Sequence, residues 1–272
     1  MFFFHYRYAI IIGFLYTIFA GYFYLIPHHY PRPGLPGKDV IWEPSSIIMT
    51  KTMINMANVT SADYVIDLGS GDGRLVIEAA KRGAKALGVE YNPKLIEIAK
   101  LAAKRDNVED KAKFVRGDIF EFDFSEATVV TMFLLPNLNL KLRPKLLDMK
   151  PGTRIVSNHW AMGDWVADDT RILSRKENGY LGTAYFWVVP AKIRGLWQSE
   201  NFMLHLNQTY QMLRGTITTN SDRKEIAGYL EGNNIFLETT DSKYEGTAGD
   251  KIILLVDEDG HTLQFVRLTE TF

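Results

Sequence analysis

Residues 65–74, VIDLGSGDGR, constrain this chain more than any other stretch. A short apolar run (residues 64–67, YVID) meets glycines at 69, 71 and 73, and residues 75–81 (LVIEAAK) then carry helical character until Gly83. Strand, glycine loop and helix in that order are the opening unit of a parallel sheet. The alternation continues downstream. Residues 86–90 (ALGVE) predict a second strand, and Asn92-Pro93 supplies an N-cap followed by a first helical residue. Leu95, Ile98, Ala99 and Ala102 then repeat on one helical face. Residues 113–115 predict a third strand, residues 128–135 a fully apolar fourth, and residues 154–157 a fifth after a Pro151-Gly152 turn. The expected fold is α/β, a doubly wound and mostly parallel sheet covered on both faces.

Ligands of such sheets bind at the carboxyl ends of the strands. A dinucleotide loop of the form G-x-G-x-x-G would need glycine at 74, where this chain has Arg74. Here the glycines instead follow Asp67, with Asp72 among them. Two carboxylates repel a pyrophosphate but attract a ligand carrying an amine and a sulfonium, which favours S-adenosyl-L-methionine over a dinucleotide. Glu90 closes the second strand 23 residues after Asp67, the place of an acid that grips ribose hydroxyls. Asp118 follows the third strand, with Ile119 and Phe120 behind it as an apolar wall for a purine.

Over residues 40–190 the chain resembles the seven-strand S-adenosylmethionine-dependent methyltransferases. VIDLGSGDGR is similar to their first motif, GVEYNP to their ribose acid and RGDIF to their adenine motif. The resemblance implies that Asp67, Gly69, Ser70, Gly71 and Gly73 line the methionine end of the cofactor. It implies further that Glu90 holds the ribose and that Asp118 with Ile119 holds the adenine. A narrower resemblance rests on order: an apolar N-terminal segment, then EPSS (residues 43–46), a helix and DLGSGDGR. That order is similar to the anchored lysine methyltransferases that modify the ATP synthase c-subunit and the nucleotide carrier. It implies that Trp42, Glu43, Pro44 and Ser45 form a flap over cofactor and acceptor. Ser45 or Ser46 also reads as the N-cap of the helix bearing Ile47, Met49 and Met53. After the fourth strand, LLPNLN places Pro136, Asn137 and Asn139 where many amine methyltransferases carry Asn- or Asp-Pro-Pro-Tyr. The departure fits the lysine-specific enzymes better than those acting on bases, and Glu43 or Asn137 could orient the amine. Asn158, His159 and Trp160 follow the fifth strand near the same mouth.

Residues 8–26 carry no charge, and twelve of the 34 aromatic residues fall within the first thirty positions. As a helix the uncharged stretch would measure roughly 28 Å, near the thickness of a bilayer's hydrocarbon core. We read residues 1–27 as a transmembrane anchor; a cleaved signal peptide and a buried helix are the rival readings. Four prolines and two glycines between Pro27 and Gly37 then make residues 28–40 a stiff linker. Arg7 before the segment and Arg32 and Lys38 after it barely decide orientation. Because S-adenosylmethionine is made in the cytosol, the catalytic domain is expected to face it.

Residues 41–191 form the expected methyltransferase domain, and residues 192–272 change character to strand-like runs. Gly215, Gly228, Gly232, Gly246 and Gly249 space those runs, and Asp259-Gly260 marks a hairpin. The reading is a small antiparallel β-domain or barrel, for substrate docking, lipid contact or capping of the sheet edge, with GLWQ (residues 195–198) as a hinge or a membrane-surface aromatic. The net charge of −1 argues against a nucleic-acid partner. With no cysteine there can be no disulfide, thiolate zinc site or cysteine nucleophile. The six histidines show no metal-ligand spacing with paired carboxylates, so no metal is expected. Three functions stay open at this point: methylation of a protein lysine, methylation of a lipid or quinone headgroup, and a cofactor-binding scaffold without turnover.

Overall fold

The computed structural model describes residues 42–219 and 221–268. The expected anchor and linker, residues 1–27 and 28–40, lie outside them. Among the described residues no helix is long and apolar enough to cross a membrane. The chain divides between Glu43 and Pro44, and the fold below is that of the described residues from Pro44 onward.

The first five strands are β1 (Tyr64–Leu68), β2 (Lys85–Glu90), β3 (Ala112–Arg116), β4 (Val129–Met132) and β5 (Arg154–Asn158). With β6 (Asp169–Leu173) and β7 (Gly182–Val188) they make a seven-stranded sheet in the order β3-β2-β1-β4-β5-β7-β6. Only β7 runs against the others, so the sheet is mixed. Helices α1 (Ile47–Met56), α2 (Arg74–Lys81) and α3 (Pro93–Arg105) pack one face through Met49, Met53, Val76, Ile96 and Ala99. Helix α4 (Pro136–Leu147) covers the other through Leu142 and Leu146, against Ile66, Leu68 and Met132. Val65 and Ile66 point to opposite clusters, the alternation that a sheet buried on both sides requires.

Local chemistry sets the helix starts. Ser46 caps α1 by accepting from the Met49 N–H at 2.9 Å, and Asn92 caps α3 by accepting from Lys94 at 3.0 Å, with Pro93 in the first turn. The fourth strand is shorter than its apolar run suggests. Pro136 holds Leu135 in an extended conformation (φ −68°, ψ 155°), so the chain leaves the sheet after Met132 and turns into α4.

Beyond Val188 the chain builds a closed eight-stranded antiparallel barrel in the order β10-β11-β12-β13-β14-β15-β8-β9. Its strands are β8 (Gly195–Gln198), β9 (Met203–Thr209), β10 (Met212–Thr218), β11 (Arg223–Glu231), β12 (Asn234–Glu238), β13 (Lys243–Ala248), β14 (Ile252–Asp257) and β15 (Thr262–Arg267). Trp197, Leu206, Ile253 and Phe265 fill the interior, which is a packed core and not a lumen. The sequence-based reading of GLWQ is corrected: it is β8, and Trp197 is fully buried with its Nε1–H donating to Ile193 O at 2.9 Å. Three of the supposed spacer glycines are corrected as well. Gly215, Gly228 and Gly246 lie inside strands, where a Cβ would come within 1.8–1.9 Å of a neighbouring strand's carbonyl oxygen. They let the strands coil tightly enough to close the barrel.

The barrel is fastened to the sheet domain by the tip of the β9–β10 hairpin. Gln211 accepts from Trp165 Nε1 at 3.1 Å and donates to Val166 O and to Asp168 Oδ1, both at 2.9 Å. Tyr210 stacks on Trp165 at 6.0 Å and donates its hydroxyl to Asp164. Burial raises the Asp168 carboxyl above its usual range, although the Val188 N–H and Gln211 both bond to it.

Candidate active site and family

The carboxyl ends of β1, β2, β4 and β5 converge on one edge of the sheet. Asp67 is 2% exposed there and accepts from Thr131 Oγ1 of β4 at 2.7 Å. Desolvation pushes its carboxyl up to about 7, with Glu90 and Asp72 adding like-charge repulsion. A buried acid beside two other acids suits a ligand that brings a positive charge.

The glycine loop wraps around this acid. Gly69 and Ser70 both donate backbone N–H to Val89 O, at 2.9 and 3.1 Å, and Gly71 donates to Glu90 Oε2 at 2.9 Å. Glu90 takes a second bond, from the Asn92 N–H at 2.8 Å, so it braces the loop while standing half-buried at the strand end. Gly69, Gly71 and Gly73 all have positive φ. At Gly73 a Cβ would also meet the Phe114 ring at 2.6 Å. Only glycine fits there. The Ser70 hydroxyl is buried without a hydrogen-bond partner among the described residues. Asp118 is half-buried, accepts from the Phe120 N–H at 2.9 Å and thereby shapes the turn after β3, with Ile119 packed beside it.

Ser45 joins the same edge. It is 4% exposed, accepts from Asn158 Nδ2 at 2.8 Å, and its carbonyl accepts from Arg74, the first residue of α2. Arg74 also grips Asp72 within the loop, Nε to Oδ1 at 2.9 Å. Asn158 is fully buried, and its Oδ1 has no partner among the described residues. Pro44 is exposed at the start of this unit, while half-buried Trp42 and exposed Glu43 belong to the preceding one. Asn137 is exposed on the first turn of α4. Two residues on, Asn139 is buried and donates to Ser157 Oγ and to Trp160 O, at 3.2 and 3.0 Å. His159 adopts φ 69°, donates its N–H to Thr183 O and meets Trp160 edge-on at 4.6 Å, a packed arrangement.

Several residues here escaped the sequence reading. Thr131 is one, and the bracing roles of Arg74 and Asn158 are others. A fourth omission is Gly88, whose Cβ would lie 2.4 Å from Ser70 Oγ. Arg74 carried a signal, as the residue that breaks the dinucleotide pattern. The expectation about histidines also needs correction: Asp257, Asp259 and His261 bring ligand atoms within 4.8 Å of one another. They lie in the β14–β15 turn, where the Asp257 carboxylate accepts from the Asp259 and His261 N–H groups.

Residues 67–169 match the ANTKMT methyltransferase domain. A protein-lysine N-methyltransferase of Saccharolobus islandicus is 40% identical over 153 residues, covering 55% of this chain and 94% of that one. The chain belongs to the protein-lysine N-methyltransferase family. The human lysine N-methyltransferase of the ATP synthase c-subunit is 30% identical over 161 residues, 57% of this chain and 69% of that protein. An RNA methyltransferase from Salinibacter ruber, solved with S-adenosyl-L-homocysteine, is 42% identical with a TM-score of 0.52, covering 56% of this chain and 96% of that one. The cofactor of this methyltransferase is S-adenosyl-L-methionine. The strand-end edge fits it: a buried acid flanked by like charges, a buried serine hydroxyl with no partner among the described residues, and glycines where any side chain would intrude. The family match ends at Asp169, before the barrel begins.

Proposed function

We propose that this enzyme methylates the ε-amine of a lysine on a protein at or near a membrane. The observation that carries the acceptor class is the 40% identity to a protein-lysine N-methyltransferase across 94% of that protein. The packed barrel core supports a protein acceptor over a lipid one, because the barrel has no interior to receive an acyl chain. The apolar segment at residues 8–26 supports the membrane, with residues 1–27 as anchor, residues 28–40 as linker and the catalytic domain (41–191) in the cytosol. The barrel, residues 192–272, then serves the substrate.

When bound, the cofactor supplies an electrophilic methyl group on a sulfonium. In our reading Asp67 pairs with its ammonium, Ser70 and the loop N–H groups line its methionine end, Glu90 holds the ribose, and Asp118 with Ile119 holds the adenine. Binding a cation beside Asp67 returns that carboxyl toward its ordinary ionised state. The acceptor lysine must arrive neutral, and a dry, apolar mouth lowers its pKa. The protein then mainly aligns the amine with the methyl. Glu43 and Asn137 are the groups we assign to orient it, and the Ser45–Asn158 pair closes the edge.

The test incubates the full chain with methyl-tritiated S-adenosylmethionine and membranes from a strain lacking it, using Asp67→Ala as control. Label in a protein band, mapped by mass spectrometry to lysine, is the expected result. Label in the organic extract or in RNA would overturn the acceptor assignment.

A further inference from the structure

The outer face of the barrel carries a groove of about 410 Å³ that the methyl-transfer reading leaves unused. Its floor is a row of cross-strand neighbours: Tyr229 on β11 faces Phe236 on β12, Phe236 faces Glu245 on β13, and Glu245 faces Val256 on β14. Tyr229 and Phe236 stack at 4.8 Å with planes 18° apart, and Tyr229 is 47% exposed. Around these rings stand the carboxylates of Glu238, Glu245, Asp257 and Glu258 against the single cation Lys243. The groove therefore carries three formal negative charges, while the whole chain carries one. Asp257 is engaged by its own turn, but Glu238, Glu245 and Glu258 form no ion pair among the described residues.

Exposed aromatic faces and unpaired carboxylates share one preference, a cation carried on an apolar stem. Nucleic acid and anionic headgroups are repelled by such a rim, and a neutral apolar ligand would leave its charges buried and unpaired. We infer that this groove is a docking site for a lysine- or arginine-rich segment of the protein substrate, separate from the lysine that is methylated. The inference rests on the reading that the acceptor is a protein. The alkyl stem of a Lys or Arg covers the Tyr229–Phe236 stack while its head reaches Glu238 or Glu245.

The test is fluorescence anisotropy of a labelled Lys/Arg-rich peptide with the full chain in detergent, beside neutral and acidic peptides of equal length. Expected is saturable binding of the basic peptide alone, weakening about tenfold as salt rises from about 50 to about 300 mM. A Glu238→Lys/Glu245→Lys variant should lose that binding at least about tenfold, and so should Tyr229→Ala. The charge-reversal variant should keep the parent's affinity for S-adenosylmethionine, since neither residue lies near the glycine loop, and this shows that it is folded. Absence of basic-peptide binding, equal binding of the neutral peptide, or binding that survives charge reversal would overturn the inference. Protein labelling in the preceding experiment would stand in each of those cases, so the two readings fail separately.

Discussion

Asn158 at the end of β5 donates to the hydroxyl of Ser45, 113 residues earlier, at 2.8 Å and out of reach of water. Because the Ser45 carbonyl also takes the Arg74 guanidinium, one serine ties the head of α1 to both the glycine loop and the fifth strand. Ser45→Ala leaves both polar ends of the Asn158 amide buried and unpaired. The expected cost is about 1–3 kcal/mol, read as a lower melting temperature, with a weaker affinity for S-adenosylmethionine measured by calorimetry. Ser45→Thr, which keeps the hydroxyl, should restore most of both.

Cofactor affinity should depend on pH through Asp67. Its carboxyl, raised to about 7 by burial, is largely protonated at pH 6 and ionised at pH 8. A ligand amine pairs only with the ionised form, so affinity for S-adenosylmethionine should fall about tenfold between pH 8 and pH 6. Titration calorimetry checks this. Sinefungin, which keeps a cationic amine, should follow the same curve, and a flat profile would contradict the pairing.

The same acid makes the ligand-free protein less stable than it could be. Since its folded pKa lies above the unfolded value, the stability penalty is absent below about pH 4 and complete once pH passes about 7. Asp67→Asn should therefore raise the melting temperature of the ligand-free protein at pH 8 and not at pH 4, while abolishing cofactor binding. Scanning calorimetry at the two pH values decides it.

Gly88→Ala offers a test of how the loop is held. The new methyl would lie 2.4 Å from Ser70 Oγ and 2.7 Å from the Phe114 ring, so the loop must lift from β2. We expect a folded protein, by circular dichroism, whose affinity for S-adenosylmethionine falls at least about tenfold.

Much of this architecture was legible because period and punctuation agree locally. Asn92-Pro93 started a helix where an N-cap and a following proline should, and the acids Asp67, Glu90 and Asp118 ended or followed strands that the apolar runs already marked. The misreadings share a different cause, distance along the chain. The need for glycine at 215 comes from the His205 carbonyl on the adjacent strand, and the need for glycine at 88 from Ser70. The Tyr210-Gln211 turn lacks the usual Asn-Gly signal. Tyr210 takes a positive φ of 53° with its ring packed on Trp165, so tertiary packing compensates for a residue that does not favour that conformation. The bond from Asn158 to Ser45 leaves no trace in either local pattern.

Gln211 supplies the last prediction. Replacing it with alanine strands the Trp165 indole N–H and removes a donor from Asp168, at an expected cost of about 2–4 kcal/mol. The parent should unfold in one calorimetric transition spanning sheet and barrel, and Gln211→Ala should split it in two.

That hairpin has a consequence for which lysine is chosen. A module on a flexible tether would let a docked partner sweep many residues past the methyl donor. Here Tyr210 and Gln211 are bolted to the segment that follows β5, so the barrel's outer face stands at a fixed offset from the glycine loop. A partner gripped by the barrel would offer only those lysines one set span from its point of attachment, and the enzyme would work as a ruler.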